Sequence, residues 1–304
     1  MKAAVIDMGT NTFHLIIAEL SATGVEVLYK TNLPVQLGQG RINENIIIPE
    51  AFERGIKALK GFREEIDLQK VEVVRATATS AVRSAANGQD FVDAAAKRAG
   101  IKIEVISGDD EAAFIFNAVK ATGLIKQTSL IMDIGGGSTE FILCDEEELI
   151  WKKSYNIGAA RLMQGYFKSD PINDKDQETI ISHLDEELKA LKVICEEFGP
   201  TTLIGSAGAF ETFAVMLDKE INLKNNSTAN IPIANYKQLA HQLIKANHNE
   251  RANMEGLIPL RVDMIVMASI LTNYILDQLT TIKDIKLSTY DLKMGVLQRL
   301  KGQI

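Results

Sequence analysis

Apolar residues recur along the chain in short runs separated by polar or glycine-containing segments. Compact or alternating runs predict β-strands at residues 2–8, 13–20, 24–32, 71–76, 101–106, 130–133, 139–144, 149–155, 201–204 and 284–288. Helical spacing predicts α-helices at residues 51–66, 89–98, 107–121, 174–197, 209–217, 236–246, 263–279 and 292–301. A polar, asparagine-rich stretch at 218–235 is predicted to be a surface loop. Strands and helices alternate, which predicts an α/β fold.

The order of elements starts again near residue 130. Residues 7–17 align without a gap with residues 133–143, so that Asp7 lies over Asp133 and His14 over Glu140. Such an internal duplication predicts two domains of the same fold. We expect them at residues 1–123 and 124–304, with a last helix at 291–302 that packs back on the first domain. A cleft between two such domains would be a favoured place for a ligand.

Each copy contains a glycine turn between its first two strands. Glycines let backbone N–H groups approach a ligand, and successive N–H groups form a nest for phosphate oxygens. The same residues are also compatible with a plain β-hairpin. The residues of the two turns that we predict to bind phosphate are Thr10, Asn11, Thr12, Gly135, Gly136, Gly137 and Ser138. The acids that flank the turns, Asp7, Asp133 and Glu140, are predicted to hold Mg²⁺ or another divalent cation.

Composition narrows the possible partners. The 304 residues include 33 Lys and Arg against 40 Asp and Glu, a net charge of −7, so neither nucleic acid nor an anionic membrane is expected as a partner. The two cysteines form no disulfide framework, Asp7 follows the N-terminus too soon for a signal peptide, and no apolar run is long enough to span a bilayer. We expect a cytoplasmic protein.

A polyanionic substrate would therefore need a local positive patch. The candidates for it are Arg161, Arg251, Arg261, Lys293 and Arg299. Each of them is equally compatible with a solvated surface charge.

Two residues of the first half are candidates for chemistry on a phosphate group. Glu111 follows a predicted N-cap, Ser107, and shares a helix face with apolar residues three, four, seven and eight positions later. A carboxylate at the edge of a buried face can have a raised pKa and accept a proton from water, although the helix dipole alone also favours an acid here. Arg83 lies among small polar residues, and its planar fork suits phosphate, unless it is simply solvated.

Five segments together resemble the exopolyphosphatase / guanosine pentaphosphate phosphohydrolase family, part of the actin-like, ribonuclease-H-like superfamily. They are residues 7–15, 79–83, 106–112, 133–140 and 157–162, and weaker similarities occur at 205–208, 261–263 and 295–297. The resemblance implies two tandem actin-like domains, each a mixed five-stranded sheet flanked by helices, with an interdomain cleft. It also implies a Mg²⁺-dependent hydrolase and is compatible with a homodimer.

The resemblance assigns roles to individual residues. Glu111 would be the general base and Arg83 would bind the phosphate that is attacked. Secondary substrate contacts would come from Arg161, Gly205, Ser206, Gly208 and Arg261. The substrate would be inorganic polyphosphate or, alternatively, guanosine pentaphosphate. An actin-like phosphotransferase and a non-catalytic binder of these phosphates are further alternatives.

The second half departs from the family pattern at three places. Ile265-Val266-Met267-Ala268 replaces the usual Pro-Gly, Lys293-Met294-Gly295 replaces Arg-Glu-Gly, and Ser206-Ala207-Gly208-Ala209 replaces Ser-Gly-Thr. Larger members also carry further helical domains, so 304 residues favour shorter phosphate chains or a single-ended substrate. These departures affect the expected substrate more than the expected chemistry.

Overall fold

The computed structural model describes residues 1–206, 208–223 and 225–303, which form two compact units. The first unit comprises Met1–Ala118 and Leu292–Ile304, and the second comprises Val119–Asp291. Ala207, within the Gly205–Gly208 motif, and Lys224, within the predicted surface loop, lie outside the described residues.

The elements of the first unit begin with strands β1 (Lys2–Met8), β2 (Phe13–Ser21), β3 (Gly24–Leu33), β4 (Val73–Ala78) and β5 (Ile103–Val105). Its helices are α1 (Pro49–Leu68), α2 (Ser80–Ser84), α3 (Gly88–Ala99) and α4 (Gly108–Ala121), and the last three residues of α4 fall in the second unit. The second unit contains strands β6 (Ser129–Ile134), β7 (Thr139–Cys144), β8 (Leu149–Tyr155), β9 (Thr202–Ser206), β10 (Thr228–Ile231) and β11 (Asp284–Ser288). Its helices are α5 (Ala159–Tyr166), α6 (Asp174–Glu187), α7 (Lys189–Phe198), α8 (Gly208–Leu217), α9 (Ile233–Lys245), α10 (His248–Ala252) and α11 (Met264–Gln278). The last helix, α12 (Leu292–Lys301), belongs to the first unit.

The described part of the first unit contains a five-stranded sheet in the order β3-β2-β1-β4-β5. β1 pairs antiparallel with β2 and parallel with β4, so the sheet is mixed. Ala3, Ala4, Val5 and Ile6 are fully buried, because β1 is a central strand covered on both faces. β3, at the edge, is much more exposed. The centre of the sheet therefore holds the strand that leads into the first glycine turn.

The sheet of the second unit repeats this order as β8-β7-β6-β9-β11 and adds β10 beyond β11. The pairings of β6 with β7 and with β9 match those of β1 with β2 and with β4. The predicted mixed α/β architecture is confirmed. The predicted five strands are correct for the first sheet, whereas the described residues of the second sheet form six.

The extra strand corrects the prediction of a loop at 218–235. β10 pairs antiparallel with β11, with Ile231 opposite Ile285, and α9 begins immediately afterwards at Ile233. Edge strands carry weak sequence signals because one side has no neighbour and the pairing partner is distant in sequence. The partner here, β11, follows only after the intervening helices.

The predicted helix at 174–197 is also divided. Its apolar stripe continues through Ile180, Leu184, Leu188 and Leu191, but Leu188 leaves the helical backbone with φ −95° and ψ 16°. The Leu188 N–H still donates to the Leu184 carbonyl at 2.9 Å, so the junction is a kink rather than a loop. Side-chain periodicity does not detect a departure of one residue. Among the described residues, no helix is both long and apolar enough to cross a membrane.

Candidate active site

Helix α4 places Glu111 in its first turn. The Ser107 hydroxyl accepts the Asp110 N–H at 3.0 Å and donates to the Asp110 carboxylate at 2.6 Å, which caps the helix as the sequence predicts. Phe114, Ile115 and Ala118 are buried on the same face, and Glu111 itself is only 8% exposed. The carboxylate is therefore largely shielded from water, unlike that of the exposed Asp109.

The guanidinium of Arg83 contacts that carboxylate. Arg83, in the last turn of the short helix α2, donates from Nη1 to Glu111 Oε2 at 2.8 Å and to the Ile106 carbonyl at 3.1 Å. Both side chains are mostly buried, with 22% and 10% exposed. Burial favours the neutral form of a carboxyl group, whereas an adjacent guanidinium favours the carboxylate. The pair brings together the two residues of the first unit to which chemistry was assigned.

The glycine turn of the second unit is held by its carbonyl groups. The backbone N–H groups of Ala159 and Ala160, at the start of α5, donate to the carbonyls of Gly135 and Gly136 at 2.9 and 2.8 Å. Nε of Arg161 donates to the Gly137 carbonyl at 3.0 Å. Because C=O and the following N–H of a trans peptide point in opposite directions, the N–H groups of residues 136–138 point away from α5. Successive N–H groups on one side of a turn, such as those of residues 136–138, are suited to binding an anion.

Two glycines of this region are required by close approach. A Cβ on Gly158 would lie 2.5 Å from the carbonyl of Gly136, and one on Gly135 would lie 2.9 Å from the carbonyl of Ser138. Neither position has the left-handed backbone for which glycine is usually chosen. Gly158 thus allows α5 to approach the turn closely enough for its N–H groups to bind the carbonyls.

The turn of the first unit has a different support. The Gly9 N–H donates to the Thr12 carbonyl at 3.1 Å, and the carbonyls of Thr10 and Asn11 accept the N–H groups of Gly38 and Gln36 at 3.0 and 2.7 Å. Among the described residues, the buried Thr10 hydroxyl has no hydrogen-bond partner. A loop, rather than a helix, therefore orients this turn.

The acids that flank the turns lie in a row of polar residues that crosses each sheet. In the second unit, strand register places Asp133 beside Glu140 on one side and Ser206 on the other. Glu140 also lies beside Ser154, and Ser206 beside Ser288. In the first unit, the corresponding polar row consists of Asn32, His14, Asp7, Thr77 and Glu104.

Two hydroxyl groups orient the acids of the second polar row. The Ser206 hydroxyl donates to Asp133 Oδ2 at 2.9 Å, and the Ser154 hydroxyl donates to Glu140 Oε1 at 2.6 Å. Glu140 is 1% exposed. Ser154 was not identified as a site residue from the sequence. Side chains alternate along β8, so Ser154 lies on the face opposite to that of the buried Tyr155, which is the face of the polar row. These two hydroxyl donors therefore fix the orientation of both carboxylates.

The acids of the second polar row fit a hard cation. Two cross-strand carboxylates supply the oxygen ligands that Mg²⁺ uses, and Mg²⁺ usually takes only one or two protein carboxylates besides water and phosphate. Among the described residues, no group of three or more His, Cys, Asp or Glu side chains is placed to hold a metal ion. In the first unit, Asp7 instead lies 3.8 Å from the Lys293 ammonium.

The predicted secondary contacts occupy varied surroundings. Ser206 is buried against Asp133, and a Cβ on Gly205 would collide with the Phe210 ring, so this glycine permits α8 to pack on β9. Gly208 begins α8 with a left-handed φ of 48°. Arg261 donates to the Thr212 hydroxyl at 2.5 Å. Burial lowers the pKa of Arg261, which the nearby carboxylate of Glu211 opposes.

Arg251 has a structural environment. Its fully buried guanidinium donates to Asp170 and Asp263 at 2.9 Å and to the Val262 carbonyl at 2.7 Å. Burial would raise the pKa of Asp263, but hydrogen bonds from His248 and Arg251 outweigh it and lower that pKa. Arg251 therefore anchors the segment next to Arg261 and is not a solvated surface charge.

Comparison with known proteins identifies the family of this chain. Residues 16–303 match the Ppx/GppA phosphatase family. The chain belongs to the Ppx/GppA phosphatase family. The members of this family are phosphohydrolases, so the predicted family and the predicted enzyme class are confirmed.

Individual relatives agree with this family. This chain is 37% identical in sequence to an exopolyphosphatase from Cytophaga hutchinsonii, whose crystal structure superimposes with a TM-score of 0.96. The superposition covers 100% of this chain and 99% of that protein. A candidate exopolyphosphatase of Haemophilus influenzae is 29% identical over 99% of this chain and 91% of its own. A guanosine-5'-triphosphate,3'-diphosphate pyrophosphatase of Aliivibrio fischeri is 30% identical over 84% of this chain. The chain spans about half the length of that pyrophosphatase, because the match covers 50% of it.

Proposed function

We propose that this phosphohydrolase releases terminal orthophosphate from inorganic polyphosphate. The observation that carries the proposal is the Arg83–Glu111 ion pair, which combines a phosphate-binding cation with a shielded carboxylate at 2.8 Å. The Cytophaga hutchinsonii relative, an exopolyphosphatase covered along its whole length, supports the choice of substrate. A second candidate is the 5'-phosphate of guanosine pentaphosphate, which the Aliivibrio fischeri relative supports.

Glu111 acts in this proposal as the general base. Its ionised carboxylate accepts a proton from a water molecule, and the water oxygen forms a bond to the terminal phosphorus as the bridging P–O bond breaks. The electron pair of the broken bond goes to the shortened phosphate chain, which leaves. Arg83 orients Glu111 through Nη1, and its planar fork neutralises charge on the phosphoryl oxygens.

The backbone N–H groups of residues 136–138 bind phosphate oxygens. Their direction is set before the substrate arrives, because α5 and Arg161 already bind the carbonyls on the other side of the turn. Donors that need no reorganisation stabilise developing negative charge effectively. Asp133 and Glu140 would hold Mg²⁺, which would neutralise phosphate charge when bound. Cytoplasmic location and a homodimeric state stay predictions of the sequence.

The test is orthophosphate release from short and long polyphosphate, guanosine pentaphosphate and ATP, each with Mg²⁺ or with a chelator. We expect Mg²⁺-dependent release from polyphosphate, and Glu111→Gln should lower kcat by about 10²–10⁴-fold because it removes the base. Asp109→Asn is the matched control, since it removes an exposed acid from the same helical turn. It should retain nearly full activity.

Three results would contradict parts of the proposal. Equal rates for Glu111→Gln and Asp109→Asn would exclude Glu111 as the base. Release from guanosine pentaphosphate alone would favour the second substrate. ATP formation when ADP is added to polyphosphate would favour a phosphotransferase.

A further inference from the structure

Helix α12 returns the end of the chain to the first unit. It contacts β1, β2 and β3, and Leu292, Met294, Val296, Leu297 and Leu300 are buried. The first turn of this helix thus lies in the same unit as Asp7, although the two are at opposite ends of the sequence. Packing of α12 therefore places side chains from the end of the sequence against the sheet that contains Asp7.

The position of α12 is also defined by α4, the helix that carries Glu111. A Cβ on Gly295 would lie 1.9 Å from the Phe114 carbonyl oxygen, so only glycine allows the two helices to approach this closely. One turn later, the Arg299 guanidinium lies 5.5 Å from the centre of the Phe114 ring. Lys293 therefore projects from a helix that is packed tightly in place.

The Lys293 ammonium is held close to Asp7. Nζ lies 3.8 Å from Asp7 Oδ2, and the two side chains are only 15% and 14% exposed. The two groups form an ion pair, because 3.8 Å is longer than a direct hydrogen bond. Burying a lysine here costs hydration and side-chain entropy, which a purely structural surface pair would avoid.

The duplicated aspartates differ in their neighbours. Asp7 faces the Lys293 ammonium, whereas Asp133, at the equivalent position, receives the neutral Ser206 hydroxyl. An ammonium beside Asp7 satisfies its charge and would repel a divalent cation at the same oxygen. The same ammonium attracts phosphate, for which lysine acts as a point charge. The Lys293 ammonium therefore disfavours a divalent cation at Asp7 and favours a phosphate group beside Lys293.

We propose that Lys293 binds a phosphate group of the substrate and that Asp7 is the residue that positions Lys293 rather than a metal ligand. The inference rests on the proposed function for the identity of the substrate. Asp7 is the second-last residue of β1 and precedes Gly9 by two residues, so Lys293 contacts the strand that leads into the first glycine turn. Lys293 thereby supplies part of the local positive charge that a chain of net charge −7 requires.

The first experiment measures binding of tripolyphosphate without metal by calorimetry. Lys293→Gln should weaken binding about tenfold or more, since it removes a charged hydrogen-bond donor, while Lys293→Arg should retain most of the affinity. Lys301→Gln is the matched control, because it removes a lysine from the last turn of the same helix. Thermal unfolding of each variant verifies that it is folded. Equal affinity of Lys293→Gln and Lys301→Gln would overturn the proposal, as would a wild-type protein that does not bind tripolyphosphate.

The second experiment tests Asp7 by measuring Mn²⁺ binding with electron paramagnetic resonance. Asp7→Asn should weaken tripolyphosphate binding several-fold and leave Mn²⁺ affinity within about twofold, whereas Asp133→Asn should lose Mn²⁺. Loss of Mn²⁺ in Asp7→Asn would overturn the role given to Asp7. Neither readout needs turnover, so an enzyme that releases no orthophosphate would refute the proposed function while these results still decide the role of Lys293.

Discussion

Arginine side chains in this protein bind backbone carbonyls as well as charged partners. Arg83 donates to the Ile106 carbonyl and Arg161 to the Gly137 carbonyl. A bond to a fixed carbonyl limits the rotamers of a long side chain before any phosphate arrives. Preorganisation of this kind lowers the entropic cost of binding.

The cysteines illustrate the opposite case, in which burial removes reactivity. Cys144 and Cys195 are almost fully buried, and burial raises the pKa of each thiol to about 12. Since the thiolate is the reactive form, we expect no reaction of the native protein with a thiol reagent at pH 8 and reaction of both cysteines after denaturation. A native protein that reacts rapidly at this pH would contradict the burial of these residues.

The same shift has a consequence for stability. The folded protein raises the thiol pKa above the unfolded value, so the folded state favours the protonated thiol. The stability that the two protonated thiols contribute to the folded state is complete below the unfolded pKa of about 8.5. It is lost as the pH rises towards 12. The unfolding free energy should therefore fall across this alkaline range.

Pairs of elements depend on glycines where two backbones meet. α5 approaches the second glycine turn at Gly158, and α12 approaches α4 at Gly295. In each case the neighbour is a backbone carbonyl, which cannot move aside as a flexible side chain can. These positions tolerate no added Cβ without displacement of a helix.

The α12–α4 contact provides a stability test. Gly295→Ala should lower the unfolding free energy by about 1–3 kcal/mol or more, because its Cβ would lie 1.9 Å from the Phe114 oxygen. Gly61→Ala is the control, since Gly61 lies in α1 with open space around it and alanine is the better helix former. Denaturant unfolding should show the control unchanged or stabilised. Equal stability of the two variants would contradict the observed packing.

At the scale of the whole molecule, the chain forms one continuous and one discontinuous unit. The second unit uses a single segment, Val119–Asp291, while the first requires both ends of the chain. Each unit has its own apolar core. The first unit therefore depends on a helix that follows the whole second unit in the sequence.

Truncation after Asp291 should destabilise the first unit selectively. It removes five buried apolar side chains from α12, each worth about 1.5–3 kcal/mol, which is a large part of typical domain stability. Hydrogen exchange should show loss of protection in β1–β3 and retention in β6–β9. Truncation after Lys301 is the control and should preserve both. Unchanged protection in β1–β3 after the first truncation would contradict the role of α12.

The sequence by itself determined the elements and the duplication. Periodicity predicted most strands and helices, the Ser107 cap and the shared face of Glu111 and Phe114, because these features depend on residues within a few positions of one another. The aligned turns also predicted that Asp7 and Asp133 would occupy equivalent positions. The strand registers show that they do.

Only the tertiary structure decided which distant residues meet. It placed β10 beside β11, Arg83 beside Glu111, Ser154 beside Glu140, and Lys293 beside Asp7. No local pattern encodes these neighbours, because each depends on how strands pair and helices pack across long separations in sequence. For that reason the sequence predicted Asp7 and Asp133 to be alike, whereas helix packing placed the Lys293 ammonium beside Asp7 and strand pairing placed the Ser206 hydroxyl beside Asp133.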